Sequence, residues 1–600
     1  MCGIVGYTGK SDACEFLLDG LEKLEYRGYD SAGITLMNNK ELKTEKTVGR
    51  IEKLRKKCDI EGKNGIGHTR WATHGKPSDT NSHPHLSNNK KFAVVHNGII
   101  ENYEEIKQEL INDGFEFYSE TDTEVIPNLL QKYYKGDLKN AVFNLQKRLK
   151  GSYALGILCS DYPDTLIAVK FASPLILGIG EDCNIIASDV TAIVEKTKNV
   201  IYIEDGDSAF ITPNSVEIYA DSLMTKRRIA TVDWEIENVQ KSGFKHYMMK
   251  EIFEQPEVIK NVVNNYVNNG EINFKHFKKD TDFIKNIDRV SIIGCGSAYH
   301  AGLVAKYVFE ELLKIPCEVE LASEFRYKNP IVSEKTLVIA ISQSGETADT
   351  IAAINEAKRK GSHILSVVNV KESALAKLSD SVIYTLAGPE IAVATTKAYS
   401  SQLVCLYLLG IFLAYEKGEI DNKLKNELLS EIEKLPAKIE KLLKEKEKIA
   451  EIAKKYKESN DIFFIGRNID YAVSMEASLK LKEISYIHSE AFAAGELKHG
   501  TISLIEEGTP VIAISSVLPL RDKLLSNVKE VKARGAEILI LADEDFEIKD
   551  EDLILIPHIS YLFSASLSVI PFQILAYYVA LYRGCDIDKP RNLAKSVTVE

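Results

Sequence analysis

Short apolar runs alternate with segments of helical period along the whole chain, but their arrangement changes once. In the first part the runs are brief and rich in β-branched and aromatic residues. FAVVHNG (92–98), YALGILC (153–159) and TLIAVK (165–170) are examples, and Gly, Asn and Asp clusters punctuate them. Helical patterns cover 102–112 and 123–134. This mixture predicts an α+β domain built on stacked antiparallel sheets. Residues 232–257 are polar, carry Gly243 and Pro256, and read as a linker that turns into a helix. Beyond them the pattern becomes strand, turn, helix, repeated, with RVSIIG (289–294), TLVIAIS (336–342) and HILSVVN (363–369) as strands. Such alternation predicts parallel sheets covered by helices on both faces.

The second part is also duplicated. DIFFIG echoes RVSIIG, with Gly466 lying 172 residues after Gly294, and Glu496 repeats Glu324 at the same offset. VIAIS (338–342) recurs 173 residues on, and KRKG (358–361) is matched by KARG (532–535) at 174. Near-constant spacing predicts two copies of one α/β domain. The expected organisation is 1–238 for the α+β domain, 239–282 for a linker and leading helix, 283–425 and 456–590 for the two copies, 426–455 for a helical connection and 591–600 for a tail. The connection mixes Lys and Glu on amphipathic stretches and is expected to break near Pro436. Two uncharged stretches need weighing as bilayer spans. Residues 398–415 contain Ser400, Ser401 and Gln402 and read as a core helix. Residues 559–582 contain Pro571, Gln573 and several serines and read as a buried strand, turn and helix.

Lys plus Arg number 75 against 87 Asp plus Glu, a net charge of −12, which disfavours nucleic acid or an anionic membrane as a partner. The 9 cysteines include no C-x-x-C pair, and MCGIVGYTGK has neither the basic start nor the apolar core of a signal peptide. A reducing, cytoplasmic setting is expected, with no metal and no cofactor.

Chemistry concentrates at two places. SQSGET (342–347) follows an apolar strand and opens a helical run, so free backbone N–H groups and a helix dipole face one point. Ser342, Gln343, Ser344 and Thr347 add side-chain donors, and Gly345 lets the backbone approach closely. A small phosphorylated ligand fits; a capped helix without a ligand is the alternative. No G-x-x-x-x-G-K is present, and GCGSAY (294–299) lacks the third glycine of a dinucleotide fingerprint. The second copy has SSVLPL (515–520) instead, without the donors or the glycine, so one phosphate site per chain is expected.

The other place is Cys2. Removal of the initiator Met would give this thiol its own α-amine, with a pKa of about 7.7–8.0, as a built-in general base. EYRGYDSAG (25–33), HTRWATHG (68–75), NSHPH (81–85), HNGIIENY (96–103) and SETDTE (119–124) surround it in sequence. They offer an Arg for a carboxylate, Asn and Gly for an oxyanion and an Asp for an amine.

With MCGIVGY, HTRWATHG, HNGIIENY, SQSGETADT, ELKHG and PRNLAKSVTVE in this order, the chain resembles the glutamine–fructose-6-phosphate aminotransferases (isomerising), or glucosamine-6-phosphate synthases, over essentially all 600 residues. The resemblance implies an N-terminal-nucleophile glutaminase domain followed by two sugar isomerase domains. It implies that Cys2 attacks the glutamine amide, that Arg70 and Asp122 hold the glutamine carboxylate and amine, that Thr73 and His83 shape the pocket, and that Asn97 and Gly98 form the oxyanion hole. Arg27 and Trp71 would gate it. For the sugar, Ser297, Ser342, Gln343, Ser344, Thr347, Val393 and Ala594 would bind, Lys595 would form a Schiff base, Glu483 would move the proton, Lys480 would assist, and His499 would open the ring from a neighbouring subunit of a homodimer. One departure stands out: Ala298 replaces the family's usual serine. Rival readings are an amidotransferase acting on nucleotide precursors or asparagine, for which no phosphoribosyl-diphosphate or ATP motif is found, and a non-catalytic sugar-phosphate sensor.

Overall fold

The computed structural model describes residues 2–71, 74–232, 241–277, 281–545 and 552–598. The chain forms two compact units, 1–240 together with 594–600, and 241–593.

The first unit holds two antiparallel sheets. In the eight-stranded sheet Gly3–Gly9 lies between Cys183–Ala187 and Asn64–Arg70, with Ser31–Asn38 and Glu41–Val48 beyond the latter. In the seven-stranded sheet Phe92–Ile100 lies between His85–Leu86 and Gly151–Cys159. Successive side chains of a strand face opposite sides, and here both sides are buried. Ala93 and Val95 join Ile4 and Ile66 in the layer between the sheets. Phe92 and Val94 point the other way, to helices Tyr103–Asn112, Val125–Tyr133 and Leu138–Arg148. That is why FAVV is an unbroken apolar run rather than an alternating one. Register places the candidate nucleophile: Gly3 pairs with Thr69, so Cys2 falls opposite Arg70 and Trp71.

In the second unit the expected helix at the linker's end is Tyr247–Tyr266; the Asp588 carboxylate accepts the Tyr247 and Met248 N–H groups at its start, both at 2.9 Å. Two all-parallel five-stranded sheets follow. Their strand orders are Cys317–Leu321, Arg289–Gly294, Thr336–Ser342, His363–Val368, Ser381–Tyr384 and His488–Ala493, Asp461–Gly466, Pro510–Ser515, Glu537–Asp543, Asp552–Ile556. The duplication extends to backbone angles. Gly296 (φ 55°, ψ −129°) caps helix Ser297–Leu313, and Asn468 (φ 56°, ψ −131°) caps helix Ile469–Ser485. Both helices end on a left-handed residue, Lys314 and Tyr486. Gly294 and Gly466 are required for close packing, because a Cβ would come within 2.8 Å of the Tyr299 N and 2.4 Å of the Asp470 carbonyl carbon, respectively.

One continuous core joins the copies, drawing on Val290 and Ile292, Phe464 and Ile512, and helices Lys397–Lys417 and Ala565–Tyr582. These two helical segments are long and apolar enough to cross a bilayer by length and composition, and 94% of each apolar window is buried inside the fold. The 559–582 stretch corrects an expectation: it is a 3-10 turn, Tyr561–Phe563, and a helix, with no strand. Its serines do not mark a strand's polar face; Ser566, for example, meets the Tyr407 hydroxyl at 3.3 Å inside the core. The connection is three helices, Asn422–Glu433, Leu435–Leu443 and Lys446–Tyr456, with Pro436 tolerated in the second one's first turn.

Candidate active sites

In the first unit the end of one sheet and the start of another converge on Cys2. Its Sγ accepts the Trp71 N–H at 3.2 Å, and its carbonyl accepts from Asn97 Nδ2 at 3.0 Å. Burial raises the thiol pKa, and the Trp71 N–H and the Arg70 guanidinium pull it back down. Gly98 follows Asn97 with φ +127°, and a Cβ there would lie 2.0 Å from the Ser152 carbonyl oxygen, so the position requires glycine. The Asn97 amide therefore lies against the Cys2 backbone, with Gly98 next to it in the strand.

Arg70 is buried, and burial lowers its pKa. Its Nη2 donates to the His74 and Gly75 carbonyls, while its Nη1 has no hydrogen-bond partner among the described residues. A buried guanidinium with an unused donor is suited to a ligand carboxylate. Asp122 is buried too, accepting the Ile100 N–H at 2.8 Å. Trp71 stacks edge-on to Tyr29, ring centroids 5.9 Å apart. Arg27 is paired with Asp189; burial works against its charge, but Tyr26 and Asp189 hold its pKa above the ordinary value. Thr73 lies outside the described residues.

Behind the thiol sits a feature the sequence reading passed over, a cluster of neutral histidines. His68 Nε2 lies 2.9 Å from the His96 carbonyl and 3.1 Å from Asn97 Oδ1, both acceptors, so Nε2 carries the proton. This bond fixes Asn97 with its NH2 turned to Cys2. His83 stacks on His68 at 4.1 Å and contacts His85 at 4.9 Å. Burial pushes the His68 pKa down to about 3 and those of His83 and His85 well below the usual range. The unfolded chain binds these protons near pH 6.5, the native unit only at far lower pH. Stability is therefore full above pH 6.5 and lost as pH falls toward 3, with His68 alone linked to about 5 kcal/mol. Calorimetry should find the unit's melting temperature dropping steeply below pH 6; a flat profile down to pH 4 would refute the neutral cluster.

In the second unit SQSGET turns as expected at the end of strand Thr336–Ser342. Ser342 Oγ accepts the Gly345 N–H at 3.0 Å and lies 3.3 Å from Thr347 Oγ1; Ser344 Oγ accepts the Glu346 N–H at 3.1 Å. Gln343, Ser344 and Thr347 are half-buried, open to solvent on one side. Gly345 has φ +68°, and a Cβ there would strike the Ser373 hydroxyl at 2.1 Å.

Helix Ile469–Ser485 carries a cluster of titratable groups. Lys480 is buried and makes a 2.6 Å ion contact with Glu483. Sequence reasoning named this pair but missed Glu476, fully buried one turn earlier. Its carboxylate accepts from Ser297 Oγ at 2.8 Å, meets His300 Nδ1 at 2.8 Å and Lys480 Nζ at 3.5 Å. Burial alone would raise the Glu476 pKa, but Lys480, His300 and Ser297 hold it below the usual value. Burial opposes charge on Lys480, and Glu483 and Glu476 outweigh it. The signal was present: charges at 476, 480 and 483 make one stripe on a helix with a buried core face. Val393 is buried, its N–H bonded to the Asp588 carbonyl at 3.0 Å. His499 is exposed at the end of the 3-10 turn Glu496–His499. Ala594 and Lys595, both half-buried, belong to the segment that groups with the first unit. Among the described residues one trio of possible metal ligands comes together, Asp543, Asp545 and His558; two of them are exposed, and His558 already pairs with both carboxylates at 3.1 and 3.4 Å.

Comparison with known proteins agrees with this division. Residues 68–195 match the glutamine amidotransferase domain family, and 283–412 and 455–583 each match the SIS domain family. Curated relatives named glutamine–fructose-6-phosphate aminotransferase (isomerizing) are 51% identical in Caldanaerobacter subterraneus subsp. tengcongensis, 50% in Clostridium tetani and 47% in Methanosarcina mazei, each covering 100% of both chains. A solved structure described as the C-terminal domain of glucosamine-fructose-6-phosphate aminotransferase from Francisella tularensis is 36% identical, with a TM-score of 0.57, covering 58% of this chain and 99% of that one. Full-length identity near one half, the two domain families in order and the paired sites described above lead to one conclusion: the chain belongs to the glutamine–fructose-6-phosphate aminotransferase (isomerizing) family.

Proposed function

We propose that the two sites carry out the two halves of one reaction, in which amide nitrogen passes from L-glutamine to D-fructose 6-phosphate to give D-glucosamine 6-phosphate and L-glutamate. The Cys2 thiol attacks the glutamine amide, Asn97 and Gly98 take the oxyanion, ammonia leaves, and water hydrolyses the thioester to glutamate. Arg70, with its unused buried donor, holds the substrate carboxylate and Asp122 its amine; Thr73 and His83 shape the pocket, and Arg27 and Trp71 gate it. Ammonia in water at neutral pH is largely protonated and no longer a nucleophile, so this nitrogen must be delivered shielded from solvent.

At the sugar, Ser297, Ser342, Gln343, Ser344, Thr347, Val393 and Ala594 bind the phosphate end and the chain of hydroxyls. Lys595 condenses with the C2 ketone, releasing water; ammonia then displaces the lysine amine and leaves an imine at C2. Glu483 removes a proton from C1 and returns one to C2, giving the 2-amino aldose. Lys480 assists at the hydroxyls, and His499, exposed on its turn, opens the ring from the neighbouring subunit of a homodimer. Iminium formation makes the C1 proton more acidic because nitrogen holds the developing charge. A cytoplasmic setting belongs to the same reading, supported by nine cysteines that are all free.

The observation that carries this reading is the presence, in one chain, of a half-buried thiol residue against the Asn97 amide and of a phosphate-type loop with a buried Lys480 paired to Glu483. The test follows the nitrogen. Glutamine labelled at its amide should deliver that label to the hexosamine phosphate, and borohydride with fructose 6-phosphate should trap an adduct on Lys595. Label lost to bulk ammonium, or an adduct elsewhere, would count against it.

A further inference from the structure

The two copies of the isomerase domain share a backbone but treat the same pair of N–H groups differently. Helix Ala348–Arg359 and helix Arg521–Lys532 are both 12 residues long and begin 173 residues apart, so Gln343 and Ser344 correspond to Ser516 and Val517. Helix Ser297–Leu313 and helix Ile469–Ser485 begin 172 apart, so Ala298 corresponds to Asp470. The matched caps and the matched tight glycines make this correspondence structural as well as numerical.

In the second copy the Asp470 carboxylate, 2% exposed, reaches across to that loop. It accepts the Ser516 N–H at 3.0 Å and the Val517 N–H at 3.2 Å, and it bonds the Ser516 hydroxyl. Burial pushes its pKa up to about 7, against the pull of these donors. Ser516 and Val517 are buried, whereas Gln343 and Ser344 are half-exposed. In the first copy the corresponding side chain is the methyl of Ala298, which has no oxygen to offer.

We propose that the second residue of this helix decides what each copy's loop binds: Asp470 is a built-in carboxyl group that occupies the second copy's cradle and closes it to phosphate, while Ala298 leaves the first copy's cradle open for the sugar's phosphate. The inference rests on reading SQSGET as the phosphate site.

The test installs and removes the plug in the full-length chain. Ala298→Asp should raise the KM for fructose 6-phosphate by at least about 30-fold, the order set by losing charge-assisted hydrogen bonds to the loop. It should also raise the melting temperature in phosphate-free buffer and abolish further stabilisation by inorganic phosphate. Charge repulsion alone would raise KM without raising the melting temperature, and that result would overturn the proposal, as would an unchanged KM. Asp470→Ala should melt lower than the parent in chloride and gain more from added inorganic phosphate than the parent does; an identical phosphate response would overturn it independently. Thr347→Ala separates the premises. If it leaves the KM for fructose 6-phosphate unchanged, the phosphate-site reading fails; if it raises that KM while Ala298→Asp does not, the plug fails.

Discussion

Replacing Cys2 by Ala abolishes glutamine hydrolysis, by at least about 10⁴-fold as expected when a covalent nucleophile is removed, and with it glutamine-dependent hexosamine formation. Binding of fructose 6-phosphate should be unchanged, since the sulfur's hydrogen-bond contacts are the Trp71 N–H and the Trp71 carbonyl, neither of them a group proposed to hold the sugar. The size of the effect follows from the surroundings. Cys2 is held by backbone pairing of Gly3 with Thr69, and Asn97 is held by His68, so nothing else moves to fill the role. A steady-state assay of glutamate release, beside a sugar-phosphate binding measurement, reads both halves. Residual glutaminase within tenfold of the parent would remove Cys2 from the mechanism.

Glu483→Gln should leave glutamine hydrolysis intact and cut hexosamine phosphate formation by about 10²–10⁴-fold, the range for losing a positioned general base. The substitution keeps the side chain's size, and Lys480 keeps Glu476 at 3.5 Å as a counter-charge, so the buried ammonium is not stranded. The loss should appear in kcat with little change in the KM for fructose 6-phosphate. If His499 acts across a dimer, mixing Glu483→Gln subunits with His499→Ala subunits should restore about a quarter of parental activity, because half of random dimers are mixed and each holds one intact site. No recovery on mixing would place His499 in its own chain's site or outside the mechanism.

Much of this was legible in the residues. Unbroken apolar runs followed by turns gave the parallel strands, and the 172–174 offsets gave the duplication. Cys2, Arg70 and Asn97 were visible as residue types; the register of Gly3 against Thr69 sets the first two opposite each other, and a hydrogen bond from the Asn97 amide to the Cys2 carbonyl joins the third. What stayed hidden depends on contacts across elements. His68 looks like any residue of a β-strand until its Nε2–H is seen to orient Asn97. Glu476 looks like a surface helix charge until Ser297 and His300 of another helix are seen to surround it. The 559–582 stretch was misread because serine carries no sign of whether its hydroxyl meets water or a buried tyrosine.

The Glu476 carboxylate has a consequence for what can be exchanged. It grows from the later repeat yet is gripped by Ser297 and His300 from the earlier one, and the earlier repeat alone retains the open loop. On the proposed roles, a chain rebuilt from two earlier repeats would have two handles and no proton carrier; one rebuilt from two later repeats would have the reverse. The likeness between the halves therefore survives only in their main chain, and their specialisation can no longer be undone by swapping one for the other.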